Sequence, residues 1–128
     1  MHATIILLVL IATILVALDY AYMSINKQMF VDQIVKIQRT ALVGKPEGFI
    51  FCYMFIILGL YYFIIRPRKS PFEAFLLGLF VYGVFELTNY SLFKKWSINM
   101  VIMDTLWGGV LFFITTFLVY KAEKWIKL

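Results

Sequence analysis

Apolar positions run almost unbroken through four stretches of the chain, residues 3–23, 49–65, 72–93 and 98–120, with polar breaks between them. A helix rising about 1.5 Å per residue needs roughly 17–25 residues to cross about 30 Å of hydrocarbon. Each stretch meets that length. The pattern therefore predicts an all-α membrane protein, a bundle of four transmembrane helices forming a single integral membrane domain over residues 1–128. The first stretch lacks a basic leader, and its apolar run exceeds the core of a secretory signal, so it is expected to be a retained span.

The breaks carry their own signals. Over residues 24–43 the pattern changes to helical alternation: Phe30, Ile34, Ile37 and Ala41 share one side, and Asp32, Lys36 and Arg39 another. That is an amphipathic segment between the first two spans. It would either lie along the membrane surface or pack on the end of the bundle. "GKPEG" (44–48) closes it. "RPRKSPFE" (66–73) ends the second span, because Pro67 cannot continue the hydrogen-bond ladder. Ser70-Pro71-Phe72-Glu73 has the form of a capping box, in which Ser70 would cap the third span and Glu73 would reach back to it. Ser97 is placed to cap the fourth span. The connection between the third and fourth spans is short enough to require an antiparallel hairpin.

Composition sharpens the class. Apolar residues make up 63 % and charged residues 15 %, too few to cover a water-soluble surface. The net charge of +5 comes from cations at the ends of the apolar runs: Arg66, Arg68 and Lys69; Lys94 and Lys95; Lys121, Lys124 and Lys127. These positions suit lipid phosphates and helix C-termini, and no nucleic-acid partner is expected. Trp96 and Trp125, beside the lysines, fit an interfacial aromatic belt. With four spans, each membrane face carries six Lys and Arg residues, so the positive-inside rule leaves orientation open. Cys52 is the one cysteine, which leaves no internal disulfide or thiolate metal cluster; a buried small apolar residue is expected there.

Three carboxylates fall inside the spans: Asp19, Glu86 and Asp104. An ionisable group in a bilayer is costly unless solvated, paired or neutralised, which makes it a candidate site. Asp19 stands roughly 24 Å from the N-terminal face, and Glu86 roughly 22 Å from the same face. Asp104, on the returning span, stands roughly 9 Å from the opposite face. All three fall at one level. Tyr82, Glu86, Asn89 and Phe93 share a side of the third span; Asp104, Trp107, Gly108 and Leu111 share a side of the fourth. Gly108-Gly109 offers a close helix approach. The candidate cluster is Asp19, Tyr82, Glu86, Asn89, Asp104 and Trp107, with Tyr20, Tyr22 and Tyr90 near enough to contribute.

Several chemistries fit such a cluster. It can be interhelical glue, with carboxyls hydrogen-bonded to Asn89, Thr88 and tyrosines. It can be a cation or proton site built from oxygen ligands. It can also recognise a quaternary ammonium or a lipid headgroup through acids and aromatic faces. Catalysis is not expected. The single histidine, His2, is terminal, so no Ser-His-Asp or Cys-His arrangement can be assembled, and no metalloprotease or phosphate-loop motif occurs. No cofactor or metal is expected.

Three segments carry a resemblance. "FCYMFIILGLYYFIIRP" (51–67), "FELTNYSLFKKW" (85–96) and "DTLWGG" (104–109), with Leu18-Asp19, are similar to a family of small predicted membrane proteins of unknown function, number 2177. The likeness covers most of the chain and is strongest after residue 50. Phe85-Glu86 departs from the family's Tyr-Asp, Lys95 from a common glycine, and Tyr20-Ala21-Tyr22 from a Trp-Leu pattern. The resemblance implies four spans and brings no assigned activity. Its members occur in bacteria and in large DNA viruses with internal membranes, and the Phe-, Ile- and Lys-rich usage suits an AT-rich source. The expected function is a non-enzymatic structural membrane protein, with a place in a virion inner membrane as the narrower form. Its partners would be the lipid bilayer and other membrane or capsid proteins. The alternative is a small cation- or proton-handling carrier built on Asp19, Glu86 and Asp104.

Overall fold

The computed structural model describes residues 2–40 and 44–127. Its helices are α1 (His2–Ile25), α2 (Lys27–Gln38), α3 (Pro46–Leu60), α4 (Pro71–Leu92) and α5 (Ile98–Trp125). A wide π-helical turn, Tyr61–Ile65, continues α3. No strand occurs among the described residues. Four of these segments, with α3 counted together with its π turn, are long and apolar enough to cross a membrane. The chain is an all-α, multi-pass bundle.

α5 is the central helix. It buries Asp104, Gly108, Gly109, Leu111, Phe112, Thr115 and Val119 along its length, against α4 on one side and α1 on another. It extends beyond Tyr120 to Trp125, and in its last turns Lys121, Lys124 and Trp125 are exposed. The hairpin of α4 and α5 forms the most extensive contact in the bundle. Lipid tails are as apolar as leucine, so close packing has to hold these helices together. Glycine makes it possible. A Cβ on Gly78 would collide with the Gly108 carbonyl oxygen and come within 2.8 Å of the Phe112 ring; one on Gly109 would meet Phe75 at 2.7 Å.

The helix ends follow the local chemistry. Ser70 Oγ accepts from the Glu73 N–H at 3.3 Å, and Ser97 Oγ from the Met100 N–H at 3.4 Å. The reciprocal half of the expected capping box is not formed. The Glu73 carboxylate instead faces Lys69 at 3.9 Å, one helical turn away. In the π turn, the Arg66 and Lys69 N–H groups reach back five residues to the Tyr61 and Ile64 carbonyls, both at 2.8 Å. The extra residue lets Leu60, Ile64 and Ile65 all face the core.

α2 packs on the end of the bundle. Its apolar side, Phe30, Ile34 and Ile37, covers Trp96, Met100 and Val101 at the α4–α5 turn, while Asp32, Lys36 and Arg39 face outward. Ala41, expected on the same apolar side, lies outside the described residues. Gln33, only 6 % exposed, donates to the Lys95 carbonyl at 2.8 Å and accepts from the Ser97 N–H at 2.9 Å. A turn covered by a helix needs partners for its backbone groups, and one amide serves both.

Cys52 is exposed rather than buried, because it sits on the outward side of α3. α3 turns most of its surface outward; Leu60 is its one fully buried residue before the π turn.

Candidate functional site

Asp19, Glu86 and Asp104 are all buried, and each accepts hydrogen bonds from aromatic side chains of the bundle. On α1, Asp19 follows Leu15 and Ile11 on the inward side, since positions four apart stack on one helical face. Its Oδ1 accepts from the Trp107 indole of α5 at 2.9 Å, and its Oδ2 from the Tyr53 hydroxyl of α3. Asp104, three residues before Trp107, accepts from the Tyr22 hydroxyl of α1 at 3.1 Å. Tyr22 lies flat on the Trp107 ring, centroids 4.4 Å apart and planes 4° from parallel. Glu86 of α4, 1 % exposed, accepts from the Trp96 indole at 2.9 Å.

These bonds link three of the helices and fasten the α4–α5 turn to α4. α3 is tied to α1 through Tyr53 and Asp19, and α1 to α5 through both Asp19–Trp107 and Tyr22–Asp104. α5 faces α4 where the Asp104 and Glu86 carboxyls are neighbours. The layer is thus self-contained: phenol and indole donors of the chain point at its carboxyl oxygens.

The other residues expected in the cluster divide. Tyr82 packs against the layer's edge, where its ring stands edge-on to Phe112 at 6.2 Å and fills the space that a Cβ on Gly108 would need. Trp107 is central. Asn89, a turn beyond Glu86, is half-buried and makes no side-chain hydrogen bond to another described residue, so it does not bond the carboxyls. Thr88 turns outward and bonds the Val84 carbonyl of its own helix at 2.6 Å. Tyr20, 73 % exposed, and Tyr90 face outward, so of the three neighbouring tyrosines Tyr22 alone joins the layer.

Trp96 is the clearest correction. Placed in the interfacial belt by its lysine neighbours, it is buried to 9 % exposure and turned inward onto Glu86. Trp125, by contrast, is 87 % exposed. Tyr53 and Gln33 were not expected at all. Tyr53 recurs one helical turn from Phe49 and from Ile57 in an otherwise apolar run, which is a weak sign of an inward polar tip.

All eight expected interfacial cations are exposed: Arg66, Arg68, Lys69, Lys94, Lys95, Lys121, Lys124 and Lys127. Arg66 stacks on Tyr62 at 4.4 Å, and Lys121 stands over Phe117 at 5.4 Å. Arg68 does more. One guanidinium nitrogen spans both carboxylate oxygens of Glu123 at 2.8 Å, and the group lies over the Tyr120 ring. The Tyr120 hydroxyl donates to the Lys69 carbonyl at 2.6 Å. This clasp fastens the turn between α3 and α4 to the end of α5. With the guanidinium more than half exposed, the ion pair itself contributes no more than about 1 kcal/mol.

Among the described residues no group of His, Cys, Asp and Glu is arranged to hold a metal ion. Two surface grooves, one along α1 and α3 and one along α4 and α5, are apolar, and neither is lined by any of the three acids. Searches of curated proteins and of solved structures found no match. A family profile matches residues 4–121, the region that contains every residue of the layer. The chain belongs to the family described as Predicted membrane protein (DUF2177), and it is an integral, multi-pass membrane protein.

Proposed function

We propose that this chain is a non-enzymatic structural membrane protein whose carboxyl–aromatic layer holds its four spans in register. The observation that carries the reading is that Asp19, Glu86 and Asp104 each accept from an indole or phenol of the chain itself. A buried acid engaged by built-in donors is satisfied without substrate, ion or water. Membrane helices gain about 0.6 kcal/mol, and at most about 1.7, from each such bond, so a connected set is needed to order a bundle. The narrower placement, in a virion inner membrane against capsid proteins, draws its support from the resemblance and from the exposed basic turns.

A second reading has one observation in its favour. Glu86 and Asp104 place two buried carboxyls near each other inside the bundle, as a small cation- or proton-handling carrier would require. Purified protein in proteoliposomes separates the two. The structural reading expects no proton or cation flux, and expects Glu86→Gln and Asp104→Asn to stay folded. A flux that disappears in those variants would replace it with the carrier. Turnover of a supplied lipid by the purified protein would contradict both.

A further inference from the structure

α2 touches the buried layer at two points, and both are hydrogen-bond donors to its carboxyl pair. Phe30 meets the Tyr22 ring edge-on at 5.9 Å, and Tyr22 donates to Asp104. Ile34 and Ile37, with Phe30, cover Trp96, and Trp96 donates to Glu86. α2 itself is fixed to the bundle by one short apolar face and by Gln33, whose amide bonds both sides of the α4–α5 turn. Its ends differ from the continuous spans. At Asn26 the backbone leaves the helical region (φ −103°, ψ 15°), and at Arg39 it enters the left-handed region (φ 59°). A twelve-residue helix with a break at each end and few buried contacts is the kind of unit that opens locally while the rest stays folded.

We propose that α2 is a hinged cover over the Glu86–Asp104 pair, seated by Gln33, and that lifting it opens the pair to water from the headgroup side. Once α2 lifts, Trp96 loses its apolar cover and Tyr22 its ring contact. The two donors that occupy the carboxyl oxygens are then free to move, and water takes their place. The device goes beyond the structural reading and operates equally if the layer carries protons. It gives a helix on the end of the bundle control over a buried polar site.

The test is labelling of carboxyls by a water-soluble carbodiimide and an amine, read by mass spectrometry on the full chain in nanodiscs. In the unmodified protein Glu86 and Asp104 react slowly, while exposed Asp32 reacts freely. Gln33→Ala removes both bonds to the turn and is expected to raise the rate at Glu86 and Asp104 about tenfold, with Asp32 unchanged. Lys36→Ala, on the outward face, leaves all three rates as they were. Amide exchange on the same samples shows whether α1, α4 and α5 keep their protection. Should Gln33→Ala disturb them, the gentler Ile37→Val and the unmodified protein decide: Glu86 labelling is expected to follow the opening of α2 rather than global unfolding. The cover is refuted if α2 opens faster and Glu86 stays unlabelled, or if α2 exchanges only together with the spans.

Discussion

Gly78 of α4 lies against the carbonyl of Gly108 on α5, whereas α3 meets α1 through the tips of long side chains. The first pair touches backbone to backbone and gains dispersion along its whole length. The second is joined by Tyr53 to Asp19, by Tyr61 to Thr4 at 3.4 Å, and by the apolar residues around the π turn. An apolar groove of about 590 Å³ remains open between α1 and α3, lined by Leu8, Ala12, Phe49, Tyr53, Ile57 and their neighbours. One hairpin is held by shape, and the other pair by a few polar links. A fault in shape should therefore disturb the first pair, and a lost hydrogen bond the second.

The largest effect is expected at the glycines. A leucine at Gly78 would drive its side chain into the Gly108 carbonyl and the Phe112 ring, so α4 and α5 must separate. Overpacking typically costs about 1–3 kcal/mol, and more where backbone blocks relaxation. Gly78→Leu should lose the folded bundle in detergent thermal scans. Gly59→Leu is the control, since a Cβ there meets open space, and it should unfold like the unmodified protein.

Asp19 comes next. Asp19→Ala strands the Tyr53 hydroxyl and the Trp107 indole together, a cost of about 1–3 kcal/mol for each donor left unpaired. Asp19→Asn keeps an acceptor oxygen and should cost clearly less. The loss should appear locally, as faster amide exchange in α3 than in α4. Equal loosening of all four spans would show that the two halves are not held by different means.

The smallest effect concerns Thr115 and Thr116, whose buried hydroxyls have no hydrogen-bond partner among the described residues. Replacing an unpaired hydroxyl by a methyl of the same shape removes a polar group from the interior. Thr115→Val should raise the melting temperature slightly, by the equivalent of about 1 kcal/mol. A loss of stability would mean that the hydroxyl has a partner.

Much of the architecture was legible in the sequence, and for local reasons. Span length, the Ser70 and Ser97 caps and the short α4–α5 connection depend on neighbouring residues and on bilayer thickness. The common level of Asp19, Glu86 and Asp104 followed from helical rise alone. Partner choice did not. A tryptophan beside two lysines reads the same whether it faces lipid or turns inward; Trp96 turns inward because α2 covers it. Asn89 sits on the Glu86 side of α4 by periodicity, yet among the described residues no donor or acceptor from another helix reaches its side chain. Gln33 and Glu123 find partners 64 and 55 residues away, distances at which sequence pattern carries no geometry. Cys52 was expected inside because an apolar helix has no polar face to mark its outward side.

The linked carboxyl layer is tested most directly by the indole N–H resonances of the three tryptophans, recorded by NMR in the unmodified protein, Asp19→Ala and Glu86→Ala. The layer predicts that Trp96 and Trp107 are shifted and slow to exchange, while Trp125 resembles a free indole. Asp19→Ala should release Trp107 and spare Trp96, and Glu86→Ala should do the reverse. Three indoles that exchange alike, unmoved by either substitution, would contradict it.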